Sequence, residues 1–93
     1  MPTGRVLSRR SRPHIKTAPV HLRRIDTSQN MRRFYGLSIQ PTLFGGASLV
    51  RSWGRIGTNR QEKVETFDEP DAAETAFGRL ERRKRRRGYS EPH

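Results

Sequence analysis

In "MRRFYGLSIQ", residues 31–40, Tyr35, Leu37 and Ile39 occupy every second position, whereas Ala72, Ala73, Ala76, Phe77 and Leu80 follow the spacing of one helical stripe. Side chains alternate between the faces of a strand and return to one face of a helix every three to four residues. The change of period therefore restricts the chain to strands followed by a helix. A first strand is predicted in "VHLRRIDT", with Val20 and Leu22 on one face, and Asp26 to Asn30 form a turn cluster. The second strand is 31–40, with Phe34 opposite the Tyr35 face. "PTLFGGAS" connects it to "LVRSWGRIG", residues 49–57, and "TNR" leads into "QEKVETF". Such short connections favour antiparallel hairpins. Asp68 is the expected helix N-cap, with Pro70 in the first turn and Gly88 as the stop. The predicted architecture is α+β: an antiparallel sheet of about four strands with one C-terminal helix packed on one face.

Only 30% of the 93 residues are hydrophobic, which bounds the chain to one domain with a small core. Residues 1–17 are expected to be a disordered basic arm, because low hydrophobicity with charge of one sign cannot support a core. Residues 18–93 are expected to be the domain. No cysteine is present, and His14, His21 and His93 lack ligand spacing, so neither metal nor cofactor is expected. No apolar run approaches the roughly 20 residues of a membrane span, and the N-terminus has no secretory h-region.

Lys and Arg number 20 against 9 Asp and Glu, for a net charge of +11. That excess points to polyanionic partners. Residues 1–17 carry five cations and no acid, residues 18–67 eight and three, and residues 68–93 seven and six. The last segment is segregated rather than neutral throughout: acids crowd the helix start and Arg82 to Arg87 its end, as the helix dipole prefers. That run reads either as a solvated helix end or as a nucleic-acid contact, in which case at most three of its cations face one phosphate track. "FGGAS" lacks the Lys and following helix of a phosphate loop, and no nucleophile–base set or carboxylate pair stands out. No enzymatic activity is expected.

The one tryptophan lies in the third strand, where alternation puts Arg51, Trp53 and Arg55 on one face and Val50, Ser52, Gly54 and Ile56 on the other. The second set suits packing beneath the helix, with Gly54 admitting Phe77 or Leu80. The first set is then expected to look outward, as a stacking surface flanked by cations. Pattern alone equally allows Trp53 to be a half-buried core aromatic with the arginine stems lying over it.

"SWGRIGTNRQEK" resembles the WGR domain family, whose Trp-Gly-Arg stands here as Trp53-Gly54-Arg55. "NMRRFYGLSIQ" is similar to the family's Phe-Tyr-x-Leu strand, "GRIGTNRQ" to its hairpin and "FDEPDAAETAFGRLERRKRRRGY" to its helical ending, so the resemblance spans residues 18 to about 90. It implies an antiparallel sheet with one helix on a face. Such domains occur in small bacterial proteins, some related to molybdate-metabolism regulators, and in poly(ADP-ribose) polymerases. In the polymerases they bind DNA at strand breaks and the motif Trp stacks on the terminal nucleotide, a role the resemblance implies for Trp53. There the motif Arg bridges to neighbouring domains; Arg55 is implied to contact phosphate instead, and Gly54 to stay small for packing or ligand approach. A catalytic ADP-ribosyltransferase domain does not fit within these 93 residues.

The expected function is a non-catalytic, monomeric nucleic-acid-binding module, for DNA over RNA, at ends, nicks or gaps and with little base specificity. The expected binding residues are Arg32, Arg33, Arg51, Trp53, Gly54, Arg55, Arg60 and Lys63. No membrane partner is expected, and the place of action is the bacterial cytoplasm with its nucleoid, or a eukaryotic nucleus. The competing readings are an adaptor that docks a protein on the same Trp–Arg surface, since those residues are enriched in protein hot spots, and an RNA-binding basic protein.

Overall fold

A computed structural model of the chain describes residues 17–92. The four strands β1 (Val20–Asp26), β2 (Met31–Pro41), β3 (Ala47–Arg55) and β4 (Gln61–Phe67) form one antiparallel sheet in the order β1-β2-β3-β4, and helix α1 (Pro70–Arg86) follows. The predicted α+β architecture is present. Residues 1–16, where the basic arm is expected, lie outside the described residues; Thr17 donates from Oγ1 to Glu74 Oε1 of α1 at 2.7 Å.

Each connection has its own chemistry. After β1, Asp26 accepts from Ser28 N and Oγ, and Asn30 closes the turn in the left-handed region at φ 53°, donating its N–H to Thr27 O. Asn tolerates that conformation better than other non-glycine residues. Between β2 and β3 the Thr42 hydroxyl accepts from Gly46 N, and Gly46 lies so close to the Phe67 carbonyl that a Cβ would collide with it. This close approach starts β3 at Ala47, two residues before the predicted Leu49.

Antiparallel register aligns Tyr35, Leu37 and Ile39 of β2 with Trp53, Arg51 and Leu49 of β3. Residues directly opposite each other share a face. On that face lies the core: Leu22, Tyr35, Leu37, Ile39, Ala47 and Leu49 from the sheet, Ala73 and Phe77 from α1, and Tyr89 beyond it. The helix stripe is the predicted one, although Ala72 at its margin is exposed. Tyr89 is seated by a two-bond clip: Arg23 N donates to Ser90 O at 2.8 Å and Ser90 N to Arg23 O at 2.9 Å. Its ring meets Tyr35 edge-on at 6.3 Å.

Two expectations need correction. The N-cap is Glu69, at φ −113° and ψ 128°, and not Asp68. Proline excludes the residue before it from helical geometry, so the cap falls on the neighbour of Pro70. The helix also covers the other face of β3 from the one expected. Leu49 is wholly buried and shares its parity with Arg51 and Trp53. Val50, Ser52 and Gly54 therefore lie on the face that α1 leaves open.

Candidate nucleic-acid interface

The helix reaches Trp53 only with its last turns, and there its stripe changes character. Phe77 and Leu80 continue at helical spacing into Arg83, Lys84 and Arg87. These three cations overhang a groove whose floor is Tyr35, Arg51 and Trp53. A second groove on the far side of Trp53 is lined by Arg33, Phe34, Gly54, Arg55 and Tyr89. Trp53 and Lys84 line both grooves, of about 180 and about 330 Å³. Grooves of this size, near the lower end of the small-molecule range of about 300–1,000 Å³, have room for a base or sugar.

Trp53 is thus half-buried, packed on the core from one side and open along two grooves on the other. Its burial is that of the half-buried core aromatic, the second of the two readings of the strand pattern, with part of the ring left open to the grooves. Arg51 lies beside it, with Cζ 6.0 Å from the ring centroid and a buried Nε that has no hydrogen-bond partner among the described residues. Lys84 Nζ stands 4.5 Å over the Tyr35 ring and 5.3 Å from that of Tyr89. Partial burial pushes the Lys84 ammonium below its ordinary pKa, and the charges of Arg87, Arg51, Arg83 and Arg33 push the same way. Among the described residues, six cations and no carboxylate line the two grooves. Positive charge is held together here without internal compensation.

The expected residues divide. Arg33, Arg51, Trp53, Gly54 and Arg55 come together around the grooves. Arg60 lies with His21, Ser52 and Glu62 in a depression on the open face. Lys63 shares the helix-covered face through its pairing with Arg51, but stands outside the grooves on the edge strand. Arg32 is exposed opposite Ile25 and lines neither groove. Gly54 does not admit Phe77 or Leu80: a Cβ there would meet the Phe34 ring and Asn59 O, each at 3.3 Å. Its smallness serves the Phe34 ring and the β3–β4 hairpin. Arg83, Lys84 and Arg87, from the run read either as a solvated helix end or as a nucleic-acid contact, also line the grooves, and the helical spacing from Leu80 marks them; Tyr35 and Tyr89, absent from the expected set, line them too.

The family model described as the WGR domain matches residues 18–93. The chain belongs to the WGR domain family. It is also 47% identical over 70 residues to "Uncharacterized protein y4dW" of Sinorhizobium fredii, a match covering 75% of this chain and 34% of that protein. The chain therefore spans about a third of that relative's length. No solved structure matches it. The WGR domain is by itself a non-catalytic module, associated with nucleic-acid binding in poly(ADP-ribose) polymerases. Among the described residues no helix is long and apolar enough to cross a membrane.

Within this WGR domain the motif arginine has a local task. Arg55 donates from Nη1 to the Asn30 carbonyl at 3.3 Å and from Nη2 to Asn30 Oδ1 at 3.5 Å, bracing the β1–β2 turn against the end of β3. Both bonds are long and exposed. Arg55→Ala is expected to lower stability by no more than about 1 kcal/mol in urea titration, because the backbone closes that turn independently.

Proposed function

We propose that this WGR domain binds DNA at ends, nicks or gaps, stacking Trp53 on the terminal sugar or base while the groove cations hold the flanking phosphates. The observation that carries this reading is the convergence, among the described residues, of six cations on one half-buried tryptophan with no carboxylate among them. An anion in the grooves relieves the mutual repulsion at Lys84. The restricted access to Trp53 favours interrupted strands, since only a break bares the face of a base or sugar to a ring sunk between helix and sheet. Sequence preference is expected to be weak, because α1 is packed against the sheet and is not free to enter a major groove.

Titrating intact duplex DNA, nicked duplex and single-stranded RNA at two salt concentrations tests the reading. The nicked duplex is expected to bind tightest, with log K falling by roughly 3–6 per unit of log salt, at about 0.9 per phosphate neutralised. Trp53→Ala is expected to weaken that complex roughly 5- to 150-fold, the equivalent of about 1–3 kcal/mol per stacked base, with the salt slope unchanged. Wild-type affinity in Trp53→Ala removes the stacking role. Tightest binding to RNA shifts the partner class.

A further inference from the structure

We propose that β4 is a self-pairing edge, through which two copies of this chain join antiparallel into one continuous eight-stranded sheet. The two edges of the sheet differ. On β1, Arg23 is clipped by Ser90 through two backbone hydrogen bonds, whereas among the described residues β4 pairs with β3 alone and its residues 61–66 are all exposed. Its pairing with β3 runs without a break from Gln61 to Phe67, and it contains neither proline nor glycine. Natural edge strands are commonly interrupted, covered or charged against pairing. The single lysine of β4 looks like such a guard until the strand is set against an inverted copy of itself.

With Val64 at the two-fold axis, Lys63 stands opposite Glu65 of the second copy and Glu65 opposite its Lys63. Moving the axis one residue either way opposes Lys63 to Lys63 or Glu65 to Glu65, so charge selects one register. Opposite charges facing each other across strands stabilise a sheet and like charges weaken it. Inside one chain Lys63 faces the like charge of Arg51, and among the described residues the salt bridges do not include Lys63 or Glu65. On the open face, Val64 is 56% exposed beside its partner Val50. Two Val64 and two Val50 side chains then form one apolar row across the joint. A seven-residue edge is small for an interface, so the association depends on concentration.

The axis stands perpendicular to the sheet, which keeps both helices on one face and sends the two Trp53 grooves to opposite ends. Strand spacings put the tryptophans on the order of 25 Å apart. Resting on the proposed function, the pair holds two DNA ends or two segments of one break at once.

Sedimentation equilibrium of the full chain without nucleic acid tests the pairing and leaves the DNA reading untouched. The expected result is a concentration-dependent shift from 10.8 kDa to twice that mass. Lys63→Glu and Glu65→Lys are each expected to raise the dissociation constant at least about tenfold. The two single variants mixed together are expected to pair with each other, and the double variant with itself, while circular dichroism stays that of the wild type. A single 10.8 kDa species at every concentration up to millimolar overturns the proposal. So do single variants that dimerise like the wild type, or a mixture that fails to pair.

Discussion

Replacing Arg83, Lys84 and Arg87 together by Gln is expected to weaken nicked-duplex binding on the order of 10²-fold at 0.15 M salt and to lower the salt slope by about 2.7. Each phosphate contact contributes about 0.9 to that slope, and three contacts extrapolated from 1 M salt to 0.15 M give that loss. The comparison that decides is a second triple, Arg82, Arg85 and Arg86 to Gln, which removes the same charge from the opposite side of the same helix end. Arg85 is engaged there with Glu81 at 2.9 Å and Glu91 at 3.4 Å, and none of the three lines a groove. Both triples forfeit similar dipole complementation, about 0.3–1 kcal/mol for each cation in the last turn. A matched loss of stability with an unmatched loss of affinity therefore isolates the groove. Equal losses of affinity reduce the run to a diffuse charge, and the placement of Lys84 over two tyrosine rings becomes a packing detail.

The elements were legible because their patterns are local. The parity of β2, the hairpin spacings and the stripe from Ala73 to Leu80 all follow from short-range periodicity. What escaped depends on pairing. In the stretch 49–57 each parity holds apolar residues, Leu49 with Trp53 on one side and Val50 with Ile56 on the other, so the pattern alone does not say which side is inside. Register against Tyr35, Leu37 and Ile39 decides it, and register follows from where the Thr42–Gly46 turn closes. The consequence for the site is large. A tryptophan expected on an open sheet is instead wedged beside a helix end, which brings in Arg83, Lys84 and Arg87 and leaves Arg60, Lys63 and Arg32 outside. The three helix cations needed no register to be found. Leu80 followed by residues three, four and seven further on is the same stripe, continued past the point where its residues stop being apolar.

Phe77→Ala is expected to cost about 3–5 kcal/mol of folding stability, the range for truncating a fully buried aromatic. Phe77 is 2% exposed and is the largest side chain that α1 sends into the core. Ala73, the other wholly buried residue of the helix, offers little apolar volume to compensate. Domains of this size hold a total of about 5–15 kcal/mol, so a large share of the folded population is at stake. Urea titration followed by the emission of Trp53, the only tryptophan, reads the loss at the helix–sheet junction itself. The midpoint is expected to fall with the slope unchanged, as for a pure change in stability. Circular dichroism should report the same midpoint, since helix and sheet share one core. Two midpoints, with Trp53 responding first, show that the helix end undocks before the sheet unfolds. A shift below about 1 kcal/mol places the anchor of α1 in Leu80 and the Tyr89 clip instead. Because α1 and its C-cap carry three of the six groove cations, loss of its anchor removes binding in proportion to the unfolded fraction and leaves the salt slope of the folded remainder intact. That separates it from the helix-end triple, in which the fold stays and the slope falls.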